Sequence, residues 1–359
     1  MRPFRSRRLR DLSLAGVLIL IGFAGGCGKA LVAPPRPPFP PIARWQKPLD
    51  IALSGTLATD GTLAFAALSS GSVMAFNPGG GEPLWTRLGQ LAGFVAAKPG
   101  FLVFVEKGGV VYGINAQDGN ALWKATTSVR DVQSVRMDGN RLFLGGNTGL
   151  ASLVVSTGEV RFDLPVKDVQ EIDVAGESIA ALEEGSLVVR ARDDGHERFS
   201  VKSPEGEFGA PALFADGRVV LGSGTRLVRA VSKNGSFRWK FKVGARVKHR
   251  PLDYLDGKRV GILSFEGVYY EVSLGGGDMR HRVLLTSRPF ASPILFAGRI
   301  WVSIFEDETA VIDAKTVKLI GRAKYGGSFL SPPLLVGGHL VAEVAGPRRL
   351  VGLLTAPPT

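Results

Sequence analysis

The stretch VYGINAQDGNALWK, residues 111–124, decides the fold. An apolar run, Val111 to Ile114, stops at a polar turn containing Asp118 and Gly119, and the chain resumes as a short segment carrying Trp123. Two β-strands joined by a Gly-containing hairpin fit this pattern, and no 3.6-residue period competes with it. Working outward, the unit recurs. SVMAFNPGGGEPLWTR (72–87) and LVRAVSKNGSFRWKF (227–241) are good copies, and STGEVRFDLP (156–165) and DDGHERFSVK (193–202) keep the turn and the aromatic. Trp85, Trp123, Phe162, Phe199 and Trp239 therefore fall in register, and later copies place His281 and Ile320 near that position.

A second signal, Gly before a strand, runs in step at Gly61, Gly100, Gly139, Gly176, Gly217, Gly257, Gly298 and Gly338, with spacings of 37 to 41 residues. Each period holds four short strands, the pattern of a propeller blade, because one small sheet cannot bury both faces until its neighbours stack on it. The final copy ends before an aromatic strand, while Trp45 in IARWQKP stands alone forty residues ahead of Trp85. The expectation is an all-β, eight-bladed propeller of four-stranded blades over residues 42–359, whose last blade is completed by the N-terminal strand so that the seam exposes no edge.

Ahead of the repeats, residues 1–26 carry a basic start (Arg2, Arg5, Arg7, Arg8, Arg10), an apolar run from Leu12 to Phe23 and small residues before Cys27, the single Cys. The run is too short to span a bilayer comfortably and reads as a secretory signal. Small residues directly before Cys resemble the bacterial lipoprotein signal, with Ala24 where that family usually has Leu; this implies lipidation at Cys27, and Gly28 resembles lipoproteins sent to the outer membrane. Ordinary signal cleavage and an uncleaved anchor are the alternatives. Residues 27–41 hold six prolines between Pro34 and Pro41 and read as a semi-rigid tether. A proline-rich ligand is the other reading.

The whole chain carries a net charge of +12; residues 1–26 contain five Arg and one Asp, so removing them leaves +8. For an exported protein this favours acidic protein surfaces, anionic lipid or lipopolysaccharide over nucleic acid. One Cys excludes a disulfide framework and a Cys-based zinc site.

The repeat closely resembles that of the pyrroloquinoline-quinone-like propellers, over about residues 42 to 355. The quinone-dependent dehydrogenases of that superfamily are longer and use an adjacent Cys pair with calcium-binding acids, so the resemblance implies a non-enzyme without cofactor or metal. A propeller lipoprotein of this size resembles the accessory lipoproteins of the outer-membrane β-barrel assembly machine. That implies a monomeric, lipid-anchored scaffold at the outer membrane, facing the periplasm, whose side loops bind the polypeptide-transport repeats of the central barrel protein. The alternative is an envelope lipoprotein that binds or senses a small ligand or glycan in its central channel. The inner-strand segments GAPALFA, ASPILFA and SPPLLVG are small and apolar, which disfavours a glycan funnel.

Among candidate residues, His196, His249, His281 and His339 lie in four repeats, at expected turn or outer-strand positions, with no ligand spacing. Glu306, Asp307 and Glu308 fit a solvated turn better than a calcium loop. Trp85, Trp123 and Trp239, with Trp45 through closure, recur as packing demands rather than as ligand platforms, and Phe162 and Phe199 take the same role; Trp301 reads as core. One stretch rises above the background, RWKFKVGARVKHRP (238–251). Arg238, Lys240 and Lys242 are explained as the wet face of an outer strand, whereas Arg246, Lys248 and Arg250 fall in the crossing to the next blade, where alternation does not require them. The preceding crossing, SPEGEFGAP, supplies Glu205, Glu207 and Phe208 beside them, and these six are the candidate partner-binding residues.

Overall fold

The computed structural model describes residues 42–354 except 56, 107, 205, 306, 307, 328, 331 and 332. The signal segment, Cys27, the tether, Glu205, Glu306 and Asp307 therefore lie outside the described residues.

The described strands form eight antiparallel four-stranded sheets. Blades 1 to 4 run from Ala58 to Arg87, Leu91 to Thr126, Val132 to Leu164 and Val169 to Val201; blades 5 to 7 run from Ala212 to Lys242, Leu252 to Leu284 and Ile294 to Lys324. Blade 8 takes Leu334–Val336, His339–Val344 and Arg349–Leu354 from the end of the chain and Ala43–Pro48 from its beginning. Trp45 pairs with Gly352 and Lys47 with Leu350, so the sequence-based clasp is present.

Burial closes the ring. Each of eight apolar clusters is shared by two consecutive blades, including one that joins Val341 and Leu350 of blade 8 to Ala64 and Phe76 of blade 1. Second and third strands are almost wholly buried, while fourth strands keep one wet face. The eight repeated glycines turn first strands into second strands with φ between 54° and 100°, a region that penalises a Cβ.

The recurring aromatics do more than fill space. The indole N–H groups of Trp45, Trp85, Trp123 and Trp239 donate to the carbonyls of Pro78, Ala116, Val155 and Leu274 in the following blade, at 2.9, 3.2, 2.9 and 3.0 Å. Each ring, and those of Phe162 and Phe199, also rests on a turn glycine of that blade. A Cβ on Gly81, Gly119, Gly158, Gly195, Gly235 or Gly277 would lie 2.5–3.1 Å from the ring. Read locally as hairpin residues, these glycines also make room for the blade before.

Where the aromatic is missing the partner changes too. His281 leads to Val317 at the corresponding turn, which holds φ 51°. The matching carbonyl, Ala314, takes a hydrogen bond from Arg259 at 2.9 Å, and behind Phe162, which has no N–H, Arg141 donates to Arg192 at 3.1 Å. Register also corrects one position: Gly321, not Ile320, pairs as the aromatics do. Blade 8 has no third-to-fourth hairpin on which a blade 7 ring could pack. Trp301 is core, as read. His339 differs from its expected turn or outer-strand place: it opens a second strand directly after the two-residue hairpin of Gly337 and Gly338, as Phe101 and Arg299 do in blades 2 and 7.

Replacing Trp123 with Phe keeps the ring and removes the N–H, leaving the Val155 carbonyl short of a partner. The expected cost is about 1 kcal/mol in urea unfolding, and unchanged stability would show that the bond contributes nothing.

Candidate functional site

In an antiparallel four-stranded blade the second-to-third turn and the crossing to the next blade emerge on the same side. Glu207, Phe208 and Gly209 from the crossing between blades 4 and 5, Ser223 and Gly224 from the blade 5 turn, and Arg246, Val247 and Lys248 from the crossing between blades 5 and 6 thus meet around one cavity of about 310 Å³. Four of the five described candidates from sequence are brought together here; Arg250 is not.

Backbone contacts hold these loops. The Gly209 N–H donates to the Gly222 carbonyl at 2.9 Å and the Gly224 N–H to that of Glu207 at 2.6 Å. A Cβ on Gly209 would meet the Val247 carbonyl oxygen at 2.6 Å, so the two crossings approach each other closely only because this position has no side chain. Phe208 is buried against Leu182, Leu187 and Leu213, which makes it the floor of the cavity rather than a protruding anchor. Glu207, Arg246 and Lys248 are exposed at the rim.

The charge across this side of the ring is graded. A neighbouring cavity of about 390 Å³ shares Gln170, Leu182, Glu207 and Phe208 and adds Asp168 and Glu184, giving an acidic end. At the other end Arg246 lies 5.0 Å from the Phe265 ring centre and Arg288 5.4 Å, so one blade 6 aromatic sits between two guanidinium groups. Phe265 and Arg288 were missed in the sequence because each stands alone there; only the turn-and-crossing topology unites them.

Arg250 turns inward. It is ion-paired with Asp173, lies 3.2 Å from Glu171 and donates to the Ile172 carbonyl at 2.9 Å. Asp173 also accepts the Leu213 N–H at 2.8 Å, and Arg136 approaches Glu171 at 3.9 Å. Arg136, Asp173 and Arg250, with Asp253, line a cavity of about 460 Å³ where first strands converge, while Glu171 also borders the cavity of about 310 Å³. Burial, and then the Arg250 charge, lower the Arg136 pKa, while burial raises that of Asp253. The expectation of a small, apolar inner wall is thereby corrected for blades 3 and 4, whose first strands supply Arg136, Glu171 and Asp173. The quoted apolar segments belong to blades 5, 7 and 8.

The remaining candidates fall apart spatially. His249 lies in the crossing, with its pKa lowered chiefly by burial. His196 meets Asp194 and His281 meets Glu271, in different blades. Glu308 neighbours Arg322 and Lys324 at 3.9 and 3.6 Å. Among the described residues no group of three His, Cys, Asp or Glu side chains is arranged to hold a metal.

Comparison with known proteins agrees with the fold. The family model described as outer membrane protein assembly factor BamB matches residues 43–192. The BamB of Yersinia pestis is 23% identical over 306 residues, covering 79% of this chain and 70% of that protein. The crystal structure of BamB from Moraxella catarrhalis superposes with a TM-score of 0.66 at 14% identity, over 88% of this chain and 100% of the other. The computationally designed Ika8 protein reaches 0.73, also at 14% identity, over 87% and 99%. With the blade count, the clasp and the repeated turn-and-aromatic unit in place, the chain is an eight-bladed β-propeller whose repeats and fold are similar to those of BamB.

Proposed function

We propose that this protein is a non-catalytic scaffold for the assembly of outer-membrane β-barrel proteins, held by a lipid on Cys27 at the outer membrane and facing the periplasm. Its likeness to proteins named as outer membrane protein assembly factors supports the role. The observation that carries the choice of surface is the convergence of two crossings and one turn, distant in sequence, on a cavity with an aromatic floor and an acid-to-base gradient along its rim. Such a groove suits a protein module, because rim charges steer encounter while a desolvated apolar floor supplies affinity. Arg250 is held by Asp173 and Glu171, so we read this cluster as a strut between blades rather than a ligand site.

Binding to the periplasmic repeats of the organism's own central barrel protein tests this. Arg246→Glu with Lys248→Glu should weaken it more than tenfold, about 1.4 kcal/mol. Arg238→Glu, Lys240→Glu and Lys242→Glu together should do less, since they lie on a strand edge away from the groove. Equal losses would reduce the effect to bulk charge, and no loss from either set would remove this side from consideration.

A further inference from the structure

The fourth strands form the outer edge of the ring, and their charge is lopsided. In blades 5 to 8 they carry nine Lys and Arg and no Asp or Glu; in blades 1 to 4 they carry four Lys and Arg with two acids. Strand alternation explains why polar residues are here, but not why four consecutive blades all choose cations. Arg44, Arg238, Lys240, Lys242, Arg280 and Arg282 are exposed and make no ion pair among the described residues. Arg238, Lys240 and Lys242 recur every second residue along one strand, about 7 Å apart. Lys240 and Lys242 also border an open cavity of about 510 Å³ with Arg226, but the cations as a whole run along the edges of four blades, beyond the reach of any one cavity. The chain also leaves the described fold on this half of the rim, at Ile42 beside the blade 8 edge.

We propose that the half-rim made by the fourth strands of blades 5 to 8 rests on an anionic lipid bilayer surface. Cations distributed over four blades match headgroups smeared over a plane, whereas a single acidic protein segment would engage only one of the cavities along this edge. Each Lys or Arg within a Debye length of such a surface adds attraction that salt weakens. Resting on this edge leaves the groove of blades 4 to 6, which opens at one end of the strands, free for its own partner. The inference does not depend on a lipid at Cys27.

Full-length chains are compared on phosphatidylcholine vesicles with and without phosphatidylglycerol. One variant changes Arg238, Lys240, Arg280 and Arg282 to Gln, the other Arg87, Lys124, Arg161 and Arg198 to Gln. Both lose four charges and share residues 1–41, so bulk charge and the N-terminal segment cancel. The first should lose at least about tenfold of the gain in binding that phosphatidylglycerol confers, and the second much less. Equal losses, or none from the first set, overturn the proposal, as does a loss confined to polyglutamate binding, which would mark an acidic-protein site. A second measurement avoids charge removal at the edge as a whole. In a Cys27→Ser chain, a fluorophore on Arg282→Cys should be quenched by nitroxide-labelled headgroups more strongly than one on Lys124→Cys, and equal quenching overturns the orientation. Because no assembly component is present, failure here leaves the groove reading intact, and failure of the groove variants leaves this one intact.

Discussion

A chain lacking residues 28–50 is expected to melt about 8 °C or more below one lacking only residues 28–41. The longer deletion removes Ala43–Pro48, and with it the whole fourth strand of blade 8. Trp45 is half-buried, donates to Pro78 and covers Gly81, so two blade contacts go at once. Truncating a buried Trp costs about 3–5 kcal/mol; a half-buried one sits at the low end, and the lost strand pairing brings the total to at least about 4 kcal/mol. At roughly 2 °C per kcal/mol for a domain of this size, the shift is readily measured. The exposed edge of Arg349–Leu354 should also make the truncated protein associate in a concentration-dependent way. Equal melting of the two deletions would remove the clasp from any role in stability.

Arg250→Glu is expected to destabilise the fold rather than merely weaken partner binding. The guanidinium is about four-fifths buried and touches Asp173, Glu171 and the Ile172 carbonyl. The substitution would leave three carboxylates facing one another, with an expected cost of about 3 kcal/mol, or some 6 °C in melting temperature. Arg246→Glu, exposed at the rim, should shift melting little. If both variants melt like the parent while both lose partner binding, Arg250 belongs with the groove and not with the strut.

The difference between these arginines shows what could be read from the sequence. Arg246, Lys248 and Arg250 look alike in RWKFKVGARVKHRP because the partner of Arg250 lies 77 residues away. The turn glycines were legible, since positive φ is a local demand repeated in six of the copies. Their second use, as seats for the preceding blade's ring, was not, because that contact crosses between repeats. The loss of ring and glycine together at His281 and Val317 follows from that contact and has no local sign. Likewise the first strands of blades 3 and 4, Val132–Asp138 and Val169–Ala175, mix polar and apolar residues, and alternation alone does not say which face looks inward. Closure was legible for a simple reason: an orphan Trp at one end matched a missing strand at the other.

That closure has a kinetic consequence. Trp45 is among the first residues of the propeller to be synthesised, yet its strand partner, Gly352, lies about three hundred residues downstream. Within each blade, neighbouring strands meet over a few residues, so hairpins can form early and locally. The clasp must wait for nearly the whole chain, and contacts of such long sequence separation are slow because loop-closure entropy is met before they repay it. Blades 1 to 7 can stack while the ring stays open, and the same short strand that begins the propeller is the one that closes it.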